Sequence, residues 1–98
     1  MERHTVVAIP EGLHARTAAR FARLAADQPV AVRISREGAD PVDAASILAV
    51  MTLGADAGTP VTLHAGGAAG ADGDDQTDDA AASAALDVLE EFLTDPGR

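Results

Sequence analysis

One short segment of this 98-residue chain brings together side chains able to handle a phosphoryl group. Gly12-Leu13-His14-Ala15-Arg16 places a histidine where a turn meets the start of a helical pattern. A helix N-terminus presents unpaired amide hydrogens and a partial positive charge, which disfavour the imidazolium, so we expect a neutral, nucleophilic ring. Arg16 and the first amides of the helix could then hold the new dianion. From position alone, His14 could equally be a helix cap or a loop residue without function.

A second segment combines a serine with a short apolar helix. Ser46 directly precedes the apolar run at residues 47–53, where its side chain can accept a backbone NH bond worth about 1 kcal/mol. Phosphorylation of the same serine would instead place negative charge at a helix N-terminus. The fold tolerates charge there, but the charge could prevent a partner protein from docking. Ile47, Leu48 and Met51 are hard to bury together in so short a helix, so they form either an exposed patch for a partner or ordinary core.

The remaining histidines and the acidic residues do not predict a metal site. His4 and His64 are expected to be exposed strand residues without function, and the three histidines do not cluster in sequence. A calcium loop of the EF-hand type beginning at Asp72 would need glycine at its sixth position and glutamate at its twelfth, where this chain has Thr77 and Ser83. We therefore predict neither a metal nor a cofactor.

The elements that position these residues follow from periodicity and from turn residues. Alternating apolar residues predict strands, and apolar residues on one side of a helical wheel predict helices. The predicted order is βαββαβα, with strands at 3–9, 30–36, 41–43 and 59–65 and helices at 15–27, 47–53 and 80–93.

The pattern predicts an α+β fold. Each strand has an apolar and a polar side, which favours one four-stranded antiparallel sheet with three helices on a single face, in an open-faced β-sandwich. The first helix places Arg16, Arg20 and Arg23 along one side, opposite its apolar residues. We expect a single domain over residues 1–98, in which 66–79 is a flexible acidic loop insertion. Which strands are central does not follow from the pattern.

Composition excludes several classes of function. The net charge of −9 and the absence of lysine argue against binding nucleic acid, because phosphate contacts are made mainly by lysine and arginine. Residues 1–36 nevertheless hold six arginines against three acidic residues, so one face can be locally positive. The chain has no cysteine and no apolar run of membrane-spanning length. We expect a cytoplasmic monomer without membrane insertion.

Together, the motifs at residues 12–16 and 46–54 resemble those of HPr, the histidine phosphocarrier family of the bacterial phosphoenolpyruvate:sugar phosphotransferase system. The resemblance is close over residues 3–65 and looser over the last helix, and the predicted βαββαβα order is similar to that family's open-faced sandwich. It implies that enzyme I phosphorylates His14 at Nδ1 and that the group passes to the A domain of a sugar-specific enzyme II. The protein would then be a carrier in sugar transport and not an enzyme in its own right.

The resemblance also implies roles for other residues. Arg16 matches the arginine beside the phosphate, and the backbone of residues 15–17 (Ala15, Arg16 and Thr17) would contribute to the phosphate site. Ile47, Leu48 and Met51 match the family's apolar docking surface, while Ser46 matches the serine that HPr kinase/phosphorylase modifies in some lineages.

One departure from the family affects the phosphate site, and it leaves other functions open. The family usually has proline where this chain has Thr17, which restores an amide and is expected to loosen the backbone. Together with the acidic loop, this departure motivates a regulatory adapter, for example in a dihydroxyacetone kinase or nitrogen-related phosphotransfer system. A small-molecule-binding regulatory domain is a third class, which would need a pocket and would not need His14.

Overall fold

The computed structural model describes residues 1–65 and 79–94, and within them the predicted order of elements is confirmed. Apart from Asp79, which begins the last helix, the acidic segment predicted as a loop lies outside the described residues. The elements are β1 (Glu2–Val6), α1 (Ala15–Ala26), β2 (Val32–Arg36), β3 (Val42–Asp43), α2 (Ile47–Leu53), β4 (Pro60–Ala65) and α3 (Asp79–Thr94).

The four strands form one antiparallel sheet in the order β1-β4-β2-β3. Strand β4 therefore lies between β1 and β2, and its alternate residues Val61, Leu63 and Ala65 are buried. The first strand is shorter than the predicted span of 3–9, which was wrong at its C-terminal end. Beyond β1 the chain turns toward α3, because the NH of Ala8 donates to the carbonyl of Leu93 at 2.8 Å.

The core lies between the sheet and the helices that cover one of its faces, as predicted. Aliphatic side chains and alanine make up almost all of it, and Phe21 on α1 is its largest buried member. The ring of Phe21 lies 6.0 Å from that of Phe92 on α3, centroid to centroid, in a tilted arrangement favourable for aromatic pairs. The arginine stripe of α1 is exposed on the opposite side, as its periodicity indicates.

An ion pair ties β1 to α3. A guanidinium nitrogen of Arg3 lies 2.7 Å from carboxylate oxygens of both Asp87 and Glu90. The hydrogen bonds to these two carboxylates raise the pKa of Arg3. In the part of the chain that the structure describes, no helix combines the length and the apolar character needed to span a membrane.

Candidate functional site

His14 is the N-cap residue of α1. Its backbone is extended, with φ −122° and ψ 154°, and 47% of its side chain is exposed. The imidazole makes no capping hydrogen bond to the helix. His14 therefore occupies the cap position, as one of the two sequence interpretations expected, but its ring does not close the helix and is available at the surface.

The turn before His14 is fixed by a close backbone approach. The NH of Gly12 donates to the carbonyl of Ile9, and the NH of the fully buried Leu13 donates to the carbonyl of Ala55, both at 2.8 Å. Gly12 has φ +73°, and a Cβ added there would lie 2.8 Å from Ala55 O and from the Cα of Asp56. Because any side chain at position 12 would separate the two loops, glycine is required there to hold His14 in place.

The first turn of α1 contains backbone NH groups that make no hydrogen bond in the described structure. Ala15 adopts φ +33°, in the left-handed region that disfavours residues with a Cβ. Within residues 1–65 and 79–94, the amides of Ala15 and Arg16 have no hydrogen-bond partner. An anion beside the ring of His14 would meet these donors and the partial positive charge of the helix.

Thr17 behaves differently from the sequence expectation. Its NH already donates to the carbonyl of His14 at 2.9 Å, so this amide is not free. Its hydroxyl oxygen accepts from the NH of His14 at 3.1 Å and is within hydrogen-bond reach of the carbonyl of Gly12. The side chain of Thr17 therefore connects the turn to the helix, a contact that the sequence analysis did not anticipate.

Arg16 is exposed, and its guanidinium has no partner among the described residues. Arg20 and Arg23 continue the exposed stripe along α1. A guanidinium without a carboxylate partner keeps all its donors available to an incoming anion. The start of α1 therefore combines a histidine ring, free amides and a free cation.

Asp56 also belongs to this site, and the sequence analysis did not identify it. Its Oδ1 lies 2.5 Å from Nε2 of His14. Asp56 follows Gly54, which ends α2 in the left-handed conformation with φ +65°. The only sequence signal was an acidic residue shortly after a predicted glycine cap, and nothing in that pattern relates it to a histidine 42 residues earlier.

The start of α2 is closed by its serine, as predicted. The Oγ of Ser46 accepts a hydrogen bond from the NH of Ala49 at 3.2 Å. Ile47, Leu48 and Met51 are 45%, 75% and 41% exposed, so the interpretation of these three residues as ordinary core was wrong. They form an apolar surface patch on α2, called here the α2 patch.

The other two histidines lie on the strands of the uncovered sheet face. Nδ1 of His4 is 2.9 Å from the hydroxyl of Thr62, and Nε2 of His64 is 3.0 Å from the hydroxyl of Ser35. Nδ1 of His64 lies 3.4 Å from a carboxylate oxygen of Glu2. These residues connect neighbouring strands, and the described residues contain no cluster of metal-ligating side chains.

Comparison with known proteins gives one consistent result. A family model described as the PTS HPr component phosphorylation site matches residues 1–95. The chain is 47% identical over 62 residues to the phosphocarrier protein HPr of Streptomyces coelicolor, a match that spans 63% of this chain and 67% of that protein. It is 43% identical over 98 residues to the phosphocarrier protein HPr of Haloferax volcanii, spanning 98% of this chain and 96% of that one.

A solved structure is similar in fold to nearly the whole of this chain. The crystal structure of a phosphocarrier protein HPr from Bacillus anthracis superimposes with a TM-score of 0.75 at 27% identity, covering 95% of each chain. The open-faced sandwich predicted from the sequence is therefore confirmed.

Proposed function

The chain belongs to the HPr family of phosphocarrier proteins, and from this premise we propose that it carries a phosphoryl group on His14, accepted from phosphorylated enzyme I and donated to the A domain of an enzyme II. The observation that supports the proposal most strongly is the exposed ring of His14 at a helix start with unpartnered amides, beside the unpartnered Arg16. Family membership itself supports a phosphocarrier role in the phosphotransferase system, with proteins of that system as partners.

The proposed transfer needs only one bond exchange in each direction. The lone pair of Nδ1 on His14 forms a bond to phosphorus while the bond from phosphorus to the donor nitrogen of enzyme I breaks. The amides of Ala15 and Arg16 and the Arg16 guanidinium would then stabilise the phosphoryl oxygens. The amide of Thr17 would contribute only after leaving the carbonyl of His14.

The α2 patch is the proposed docking surface for both partners. Its three apolar side chains are exposed on the helix whose C-terminal loop contacts the turn before His14. A partner seated on an apolar patch beside the arginine stripe of α1 would gain burial of apolar area and charge complementarity from one surface. Such a partner would present an acidic, partly apolar face.

Phosphorylation of Ser46 is a separate, regulatory part of the proposal. Ser46 is half-buried, and its Oγ caps α2. A phosphate on this oxygen would remain favourable at the helix N-terminus while placing negative charge at the edge of the α2 patch. We expect HPr kinase/phosphorylase, where present, to reduce docking in this way and not to unfold the protein.

We further propose that the protein acts in the cytoplasm as a single-domain monomer over residues 1–98, without a cofactor. Its substrate is the phosphorylated histidine of a partner protein.

The experiment is incubation with enzyme I and phosphoenolpyruvate, followed by detection of acid-labile phosphate. We expect the wild-type protein and a His4→Ala control to take up one phosphoryl group, whereas His14→Ala takes up none. Adding an enzyme II A domain should then remove the label from the wild-type protein. Absence of label on the wild-type protein, or retention of label by His14→Ala, would refute the proposed function; label that no enzyme II A domain removes would contradict the relay and favour a regulatory adapter.

A further inference from the structure

Asp56 contacts the proposed reactive ring on the nitrogen that does not react. Its Oδ1 lies 2.5 Å from Nε2 of His14, closer than the roughly 2.7 to 2.9 Å usual for a charge-assisted hydrogen bond from a ring NH to a carboxylate, so the two atoms share a hydrogen. An ionised carboxylate has no hydrogen to donate, so the shared hydrogen belongs to Nε2. The neutral ring then has its lone pair on Nδ1.

The loop that holds Asp56 is fixed on both sides. The NH of Gly58 donates to the carbonyl of Val7 at 2.6 Å, and the NH of Thr59 donates to the carbonyl of Asp56 itself at 3.0 Å. The carbonyl of Ala55 accepts from Leu13, one residue before the histidine. The carboxylate therefore approaches the ring from a backbone already bonded to the turn before His14, although 77% of its side chain is exposed.

We propose that Asp56 is a positioning residue that keeps the hydrogen on Nε2 of His14 throughout the phosphoryl cycle; this inference rests on the proposed function. With Nε2 protonated, Nδ1 attacks phosphorus through its lone pair, and the product is a phosphorylated imidazolium whose positive charge faces the Asp56 carboxylate. In the return step the N–P bond breaks, its electron pair stays on Nδ1, and the ring leaves as neutral imidazole.

Asp56 acts through the ring and does not contact the phosphoryl group on Nδ1. Nδ1 and Nε2 are on different edges of the imidazole, so a group on Nδ1 is separated from the carboxylate by the ring. We expect the oxygens of that group to be held by Arg16 and by the free amides of α1. Asp56 and Arg16 thus act on opposite sides of one ring, the first on its hydrogen and the second on the transferred group.

The direct test is the tautomer of His14 in full-length protein labelled with ¹⁵N in histidine, measured by NMR at a pH where the ring is neutral. We expect the Nε2–H form alone in wild-type protein and in Asp56→Glu, which keeps a carboxylate at this exposed position. Asp56→Ala should show a mixture of both tautomers, and Asp40→Ala, which removes an exposed carboxylate from the β2–β3 turn, should match wild type. An unchanged tautomer in Asp56→Ala would overturn the inference.

A second measurement connects the tautomer to transfer. In Asp56→Ala we expect phosphoryl donation to an acceptor domain to slow by about five- to tenfold, the size that an exposed charged hydrogen bond supports. Asp56→Glu should recover most of the rate, and urea unfolding should show that both variants fold. Wild-type donation rates in Asp56→Ala would overturn this inference alone, whereas absence of label on wild-type protein would overturn the proposed function.

Discussion

The starts of α1 and α2 are built differently. At α2, the side chain of Ser46 accepts a hydrogen bond from the backbone NH of Ala49, in the usual arrangement of a helix N-cap. At α1, the side chain of the N-cap residue His14 makes no bond to the helix and turns to Asp56, while Ala15 adopts a left-handed conformation. The start of α2 is therefore stabilised by its own cap, whereas the start of α1 leaves backbone NH groups available to a ligand.

The two helix starts are also held in place by different kinds of contact. The open start of α1 is held by tertiary contacts of Gly12 and Leu13 with the loop after α2, whereas the start of α2 is held by its own side chain. Substitutions that disturb the first start should therefore change phosphoryl transfer, with a loss of stability where they break its backbone contacts, whereas substitutions at the second start should change stability alone.

Gly12→Ala should have the largest effect, because it acts on the contact that holds the open start. The added Cβ would lie 2.8 Å from two backbone atoms, at φ +73°. We expect a loss of about 2 to 4 kcal/mol in the free energy of unfolding, measured in urea, and slower labelling by enzyme I. Gly38→Ala is the control, since at φ +84° it meets no atom within 4 Å and should lose only about 1 kcal/mol. Equal losses would contradict the close approach at Gly12.

Arg16→Gln should reduce transfer without changing stability. Because the guanidinium has no partner in the described structure, we expect the free energy of unfolding to change by less than about 0.5 kcal/mol. The rate of labelling should fall by about ten- to a hundredfold through loss of charged hydrogen bonds to the phosphoryl group. Arg23→Gln removes the same charge from the arginine stripe at the last turn of α1, away from the phosphoryl group, and should slow labelling by no more than about two- to threefold through weaker attraction of enzyme I. Equal effects of both variants would indicate general electrostatics instead of a phosphate contact.

In contrast to Arg16→Gln, Ser46→Ala should reduce stability without changing phosphoryl transfer. Removing the N-cap of α2 should lower the free energy of unfolding by about 1 kcal/mol, while labelling of His14 proceeds at the wild-type rate. Ser46→Asp keeps a capping oxygen and should retain stability within about 0.5 kcal/mol of wild type. A labelling defect in Ser46→Ala as large as that in Gly12→Ala would remove the distinction between the two starts.

Ala15→Gly should have the smallest effect and an unusual sign. Glycine relieves the strain at φ +33° but makes the unfolded chain more flexible, so we expect a gain of about 0.5 kcal/mol in stability. The matched substitution Ala49→Gly, in the first turn of α2, should instead lose about 1 kcal/mol. Two losses of equal size would show that Ala15 is not strained.

The sequence predicted those features of the fold that depend on neighbouring residues in the chain. Periodicity gave the order of elements, Gly54 marked the end of α2, and Ser46 marked its start, because each signal depends on residues within one or two turns. The C-terminal end of β1 was wrong because a contact with α3 directs the chain away from the sheet there.

The site was predicted only in part, for the same physical reason. His14 and Arg16 share one helix turn, so their proximity follows from spacing. The contact of Asp56 with His14 joins the loop after β1 to the loop before β4. These loops are neighbours because β1 and β4 are adjacent in the sheet, and no local sequence pattern determines that pairing. The hydrogen bonds of the Thr17 hydroxyl inside the turn were not predicted either, because they depend on the conformation of the turn and not on residue type alone.

The measurement that tests the central claim most directly is NMR of the ¹⁵N-histidine-labelled protein after phosphorylation by enzyme I. The account predicts a single N–P bond, detected as ¹⁵N–³¹P coupling, at Nδ1 of His14, with the hydrogen retained on Nε2. Coupling at Nε2 of His14, or at either nitrogen of His4 or His64, would contradict it.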